Sequence, residues 1–316
     1  MPTPLQSSPD QTIVSQEVFR LFQTYGSRRF VFVEPGGNEG DRLIYMGAER
    51  LARMANLKFR VMDHETFMRS SLERDTVIYL HGSGGFNPLY DQLPLQELSK
   101  AAEHEGVVIQ GPATFWDDRQ YLDRTVGTLL QEVRCERLIV MARENKSYDL
   151  LDGLQMRGAE LMIDHDTSLN LTAGDLGAEA ISLRHCYDLF SIREDREAAD
   201  TEIRPLLSIW LDPAWQKETI ETWLAIHAGA RSIVTNRLHS SICGYLLGIP
   251  TTLLPNSYYK NRAVWEYSLA PRGVLWADRI EPNHWSHRLA RVPGVAQLMQ
   301  HSAMRRIVWR LRGLRI

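Results

Sequence analysis

Short apolar runs alternate with amphipathic stretches through the first half of the chain, the pattern of strands buried in a parallel sheet and joined by helices. Arg29-Phe30-Val31-Phe32-Val33-Glu34 predicts a first strand. After a Gly-rich turn, Ile44, Gly47, Ala48, Leu51 and Met54 recur at helical spacing and should face that sheet. The strand signal returns at Phe59-Arg60-Val61-Met62, Val77-Ile78-Tyr79-Leu80, Val107-Val108-Ile109-Gln110 and Leu138-Ile139-Val140-Met141, with a helix face at Leu122, Val126, Leu129 and Val133 between the last two. This is a doubly wound α/β unit, whose ligands bind at the carboxyl ends of the strands.

From Leu169 to Pro205 charges and glycines interrupt any period, and the division between two domains is placed there, 1–172 and 173–316. Beyond it the sequence predicts a helix carrying Ile220, Trp223, Leu224 and His227, a strand Ser232-Ile233-Val234-Thr235, a helix from Ser240 to Leu247 and a strand Thr251-Thr252-Leu253-Leu254. Two such Rossmann-like, parallel-sheet units facing one another would enclose a cleft. The final residues set Arg305, Arg306, Arg310, Arg312 and Arg315 among Ile307, Val308, Trp309, Leu311 and Leu314, a basic amphipathic helix pattern. Such a helix packs on the body with its arginines in solvent, or lies on the anionic inner face of a membrane.

Composition narrows the function classes. The 316 residues are 44% hydrophobic and 24% charged with a formal net charge of -3, an ordinary globular balance. It lacks the basic surplus expected of a nucleic-acid binder, so phosphate recognition should be local. Cys135, Cys186 and Cys243 are far apart and form no CxxC, which suggests neither a disulfide framework nor a zinc site. With no signal-like N-terminus and no run approaching about 18 apolar residues, a cytoplasmic location is expected.

Candidate chemistry gathers at the predicted strand ends. Gly36-Gly37-Asn38-Glu39-Gly40-Asp41 stands between a strand and a helix, where free N–H groups and the helix end favour an anion; Asn38 could bond a ligand and Asp41 could cap the helix. The same residues also suit a purely structural turn. In His81-Gly82-Ser83-Gly84-Gly85-Phe86 the glycines admit close approach of a ligand, and His81 could exchange protons near neutrality or be bonded to backbone. Ala142-Arg143-Glu144-Asn145-Lys146-Ser147 puts a bidentate cation at a strand tip, with an ion pair to Glu144 or another acid as the alternative. Asp164-His165-Asp166 matches the DxD spacing of metal-dependent transferases but equally suits a strand end with solvated acids; no metal is assigned.

The richest constellation is Thr235-Asn236-Arg237-Leu238-His239, followed by Asn256, Tyr258 and Lys260 at the end of the next strand. It offers cations for carboxylate or phosphate, a titratable imidazole and a helix N-terminus on neighbouring strand ends.

Taken in order, these segments resemble the polysaccharide pyruvyl transferase family. Asn38-Glu39-Gly40-Asp41 is similar to its N-x-GD turn, His81-Gly82-Ser83-Gly84-Gly85 to its glycine-rich strand end, and Arg143-Glu144 with Ser147 to its R-[DE]-x-x-S segment. Asp164-His165-Asp166 falls at its strand-end aspartate, Arg193-Glu194-Asp195-Arg196-Glu197 resembles its R-x-D-x-E stretch, Thr235-Asn236-Arg237-Leu238-His239 its T-[DN]-RLH signature, and Lys260-Asn261-Arg262 the segment after the last core strand. Ser83 within the glycine run and Asn236 in place of the commoner aspartate depart from that pattern. The resemblance implies a GT-B-like pair of domains and transfer of the enolpyruvyl unit of phosphoenolpyruvate to a sugar of a polysaccharide or lipid-linked glycan, forming a pyruvate ketal without a cofactor. It places functional weight on Arg237, His239, Arg143 and His81; Asn38, Asp41, Gly84, Gly85, Ser147, Arg193, Asn256, Tyr258 and Lys260 are read as the substrate contacts beside them. A nucleotide-sugar glycosyltransferase and a non-catalytic sugar-binding scaffold share the same architecture.

Overall fold

The computed structural model describes residues 12–154, 158–177, 187–199, 209–212 and 219–280. The basic segment 305–315 and Cys186 lie outside them. The first sheet contains β1 (Arg29–Glu34), β2 (Phe59–Asp63), β3 (Thr76–Leu80), β4 (Val107–Ala113), β5 (Arg137–Ala142) and β6 (Ala159–Ile163), in the order β2-β1-β3-β4-β5-β6. Each neighbouring pair is parallel. Apolar runs become strands here because both faces of the sheet are covered. Val31, Val33, Ile78, Leu80, Val108, Leu138 and Val140 point to one core, and Phe30, Phe32, Val77, Tyr79, Ile109, Ile139 and Met141 to the other.

On the first face lie α3 (His64–Arg69), α4 (Leu93–Ala102), α5 (Arg119–Leu122) and α6 (Asn145–Asp152), through Phe67, Leu98, Leu122 and Leu151. The helix face predicted at Leu122, Val126 and Leu129 continues from α5 into a π turn, Asp123–Gly127. The second face is covered by α1 (Gln16–Thr24) and α2 (Glu39–Met54), through Leu21, Phe22, Ala48 and Leu51.

The second sheet runs β11 (Leu275–Trp276), β10 (Thr251–Leu253), β9 (Ala230–Thr235), β7 (Tyr187–Ser191) and β8 (Ile209–Leu211), again all parallel. Helices α7 (Ile220–Ala228), α8 (Leu238–Leu246) and α9 (Lys260–Val264) accompany it. The two parallel sheets bear out the α/β class and are consistent with two Rossmann-like units. Leu43 of α2 joins the core formed by Leu189, Trp223, Ile233 and Cys243, so the helix that follows β1 in one unit is packed into the other.

Read from β8, the second sheet repeats the order of the first five strands: a second strand outside the first, then the third on the other side. In such a sheet the strand order reverses between the first and third strands, and the loops leaving those two strands part to form a crevice. The crevices lie after β1 and β3 in one unit and after β7 and β9 in the other.

Candidate functional site

Both crevices open on one cavity of about 580 Å³. Its walls include Gly36, Gly37, Asn38 and Asp41 after β1, Ser83, Gly84 and Gly85 after β3, Arg193 after β7, and Arg237 and His239 after β9; Arg143 enters from β5 and Lys260 from α9.

The first wall is set by a helix cap. Asn38 takes the N-cap of α2, its Oδ1 accepting from Gly40 N at 2.9 Å, while Asp41 Oδ2 accepts from Asn38 N at 3.0 Å and from Asn38 Nδ2 at 2.8 Å. This reciprocal cap satisfies donors at the helix start. Asn38 therefore holds the turn, and Asp41 Oδ1 is left facing His239 Nδ1 at 3.5 Å. Gly37 sits at φ +125, a conformation that favours glycine.

The opposite wall is the Thr235–His239 turn. Thr235 Oγ1 donates to Ser191 O at 2.6 Å and accepts from Arg237 N at 2.9 Å, and Asn236 Oδ1 accepts from Arg193 N at 2.7 Å. Those side chains tie the end of β9 to the end of β7 and set Arg237 at the N-cap of α8. Asn236 thus performs a backbone-bracing role that needs an acceptor oxygen.

The cations lining the cavity are held by acids. Arg143, 1% exposed, donates from Nη1 to Asp166 Oδ2 at 2.9 Å and from Nε to Thr114 Oγ1 at 2.8 Å. Arg193 Nη1 lies 2.7 Å from Glu197 and its Nε donates to Asp195 at 2.8 Å; its Nη2 also donates to Tyr90 Oη at 3.1 Å. Arg237 is clasped by Asp212, and its Nη2 donates to Asp195 Oδ2 at 2.9 Å. Lys260 Nζ pairs with Glu197 and stands 5.2 Å from the centre of the Tyr258 ring. Burial would raise Asp195, but Arg193 and Arg237 hold it down at about 2. Burial pushes Lys260 down to about 8, with Glu197 opposing and Arg193 and Arg143 assisting.

Of the residues expected at the site, Asn38, Asp41, Gly84, Gly85, Arg143, Arg193, Arg237, His239 and Lys260 line the cavity. His81 does not. It is 1% exposed, edge-on to Phe32 and Tyr79 and 4.6 Å from the ring of Tyr45, and burial pushes it down to about 3. That corrects its reading as a proton exchanger near neutrality: a neutral imidazole lies behind the Tyr45 wall. Among the described residues neither ring nitrogen of His81 has a hydrogen-bond partner, which leaves the backbone-bonded alternative without a bond there.

Ser147 is also structural. Its Oγ accepts from Phe115 N at 2.9 Å, bonds Glu144 and lies 2.9 Å from Tyr259 Oη. Glu144 caps α6 by accepting from Ser147 N, so it is Asp166 and not Glu144 that pairs with Arg143. Asn256 braces α9 by accepting from Asn261 N at 3.2 Å, and Tyr258 packs at 4.9 Å on Trp116 behind Lys260. The two acids of Asp164-His165-Asp166 diverge: Asp164 accepts from Val18 N at 2.8 Å, whereas Asp166 turns to Arg143 and His239.

Of the supporting acids, the sequence reading names Asp166, Asp195 and Glu197 only within their motifs and Asp212 not at all; in the lining it names Trp223 only as a helix position, and neither Tyr45 nor Tyr90. Asp212 did carry a signal, following the apolar run Ile209-Trp210-Leu211 as Arg193 follows its own strand. Chemically, the site presents fixed guanidinium and ammonium donors around one imidazole, a set suited to an anion with more than one acidic group and to a proton transfer beside it.

A family model described as polysaccharide pyruvyl transferase matches residues 38–258. That span runs from the cap of α2 to the aromatic wall behind Lys260, and takes in the cavity-lining Asn38, Asp41, Arg143, Arg193, Arg237 and His239. Among solved structures, a functionally uncharacterised protein from Klebsiella pneumoniae subsp. pneumoniae NTUH-K2044 is similar at 21% identity and a TM-score of 0.63, covering 84% of this chain and 99% of its own. That likeness concerns the fold alone. No curated protein matches the chain at a significant level. Among the described residues, no helix is long and apolar enough to cross a membrane.

Proposed function

We propose, since the chain belongs to the polysaccharide pyruvyl transferase family, that it transfers the enolpyruvyl unit of phosphoenolpyruvate to two hydroxyls of a glycan sugar, forming a pyruvate ketal. The observation that carries this reading is the convergence of Arg143, Arg193, Arg237 and Lys260 with His239 on one cavity. A donor holding a carboxylate and a phosphate on one carbon needs several fixed cations, and holding it still removes much of the entropic barrier.

In the proposed sequence His239 gives a proton to the methylene carbon of the donor. The N–H bond breaks, the C–H bond forms from the π pair, and positive charge passes from the imidazolium to the second carbon. A sugar hydroxyl attacks that carbon and its proton returns to His239. The carbon–oxygen bond to phosphate then breaks, and a second hydroxyl of the sugar closes the ring as its proton leaves with the phosphate. The cyclic pyruvate ketal and hydrogen phosphate balance the donor and the diol. Arg143, Arg193 and Lys260 hold the acidic groups and stabilise the departing phosphate.

Replacing His239 by Ala tests the acid. Phosphate release from phosphoenolpyruvate in the presence of acceptor should fall by about 10²–10⁴, the usual contribution of a positioned acid, with the circular dichroism spectrum unchanged. Near wild-type turnover would remove His239 from this role.

A further inference from the structure

His239 is flanked on both ring nitrogens, and the two flanks differ. On one side Nδ1 lies 3.5 Å from Oδ1 of Asp41, whose side chain is 25% exposed and lines the cavity. On the other, Nε2 lies 3.6 Å from Oδ2 of Asp166, which is 1% exposed and is not part of the cavity wall. Nε2 itself is buried and, among the described residues, has no hydrogen-bond partner at these separations. A Cβ built on Gly40 would stand 3.0 Å from Cβ of His239, so the side chain is seated against the first turn of α2.

Asp166 is in turn fixed from three directions. Its Oδ1 accepts from Ser168 N at 3.0 Å and from Ser168 Oγ at 2.5 Å, and its Oδ2 accepts from Arg143 Nη1 at 2.9 Å. The charged groups around the imidazole are therefore Asp41 on α2, Asp166 ahead of the 3₁₀ turn Thr167–Asn170, and Arg143 at the end of β5 behind Asp166. Burial works to raise the Asp166 carboxyl, but His239 and Arg143 hold it well below the usual carboxylate range. An anion so placed can only accept.

We infer that Asp166 is the positioning residue for His239: its carboxylate, 3.6 Å from Nε2, draws the proton of the neutral ring to that nitrogen, and thereby leaves Nδ1, on the cavity side beside Asp41, as the nitrogen that hands its proton to the substrate. The orientation stands on geometry alone; its catalytic use rests on the pyruvyl-transfer reading. A buried carboxylate that fixes one nitrogen while the other works is a general way to set an imidazole's tautomer. Because the same Oδ2 faces both Arg143 and His239, a donor drawing on Arg143 also changes the partner of the acid.

The test uses the full chain labelled with ¹⁵N-histidine. Long-range ¹H–¹⁵N correlation, with His239→Gln to assign the signals, should find the proton of neutral His239 on Nε2, without any substrate present. In Asp166→Asn, kcat for phosphate release should drop by about 10²-fold or more, and the alkaline limb of the kcat profile should move to lower pH. Asp166→Glu should restore part of both. A neutral His239 carrying its proton on Nδ1, or an Asp166→Asn enzyme whose pH profile is unmoved, would overturn the inference. If Asp166→Asn does not fold, the wild-type tautomer decides the matter. If phosphoenolpyruvate is not a substrate, the tautomer remains a valid reading of Asp166 while the reaction falls separately.

Discussion

Arg143 and Asp166 are each 1% exposed and 2.9 Å apart. Removing one member of such a pair strands the other's charge away from water, a loss of about 3–5 kcal/mol. Arg143→Ala should therefore lower the unfolding free energy in urea by that order as well as raising the donor KM; a fully stable variant would mean that Asp166 finds another partner. Lys260 carries a pH signature. With its proton lost near pH 8, the cavity gives up a cation above that value, so donor affinity by calorimetry should weaken between pH 7 and 9. A flat profile would take Lys260 out of donor binding. The cations were legible in the sequence because Arg and Lys at strand ends stand out. Their acids were less so: Asp195 and Glu197 follow β7 beside Arg193, but Asp166 leaves β6 and Asp212 leaves β8, and only folding sets those two against Arg143 and Arg237 and brings Glu197 to Lys260.

At the scale of elements, the glycines of α2 decide how closely that helix approaches the turns packed on it. A Cβ on Gly47 would fall 2.0 Å from Thr167 O and 2.8 Å from Ser168 N. Gly47→Ala should push the helix off the turn that carries Asp166 and cost about 1–3 kcal/mol, as overpacking does; unchanged urea unfolding would show that the contact yields. Gly84 is different, because a Cβ there would meet Arg143 Nη2 at 3.2 Å and Lys260 Nζ at 3.3 Å. That substitution presses on the ends of two donor cations and leaves their backbones alone. The predicted strands through β5, with β9 and β10, were found close to their predicted bounds because long buried runs admit one reading. β7 escaped: Tyr187-Asp188-Leu189-Phe190-Ser191 is short and broken by Asp188, which pairs with Arg231 of β9. β8 is three residues long, and β6 is a half-buried edge whose pattern, Ala159-Glu160-Leu161-Met162-Ile163, alternates poorly.

Across the whole molecule, two sheets with one strand order bring their crevices to a common cavity, which is why loops far apart in sequence share a site. The cleft between two α/β units was readable from the repeated pattern; the seating of Leu43 from α2 in the second core was not, since a helix's far face reads only as further apolar positions. His81 marks the converse limit. A histidine after a strand reads as reactive, yet Phe32, Tyr45 and Tyr79 enclose it. The central claim is that the cavity is built for phosphoenolpyruvate, and thermal unfolding of the full chain with added ligand tests it most directly. Phosphoenolpyruvate at about a hundred times its dissociation constant should add roughly 2.7 kcal/mol of stability, with a uridine nucleotide sugar adding none; stabilisation by the nucleotide sugar and none by phosphoenolpyruvate would contradict the account.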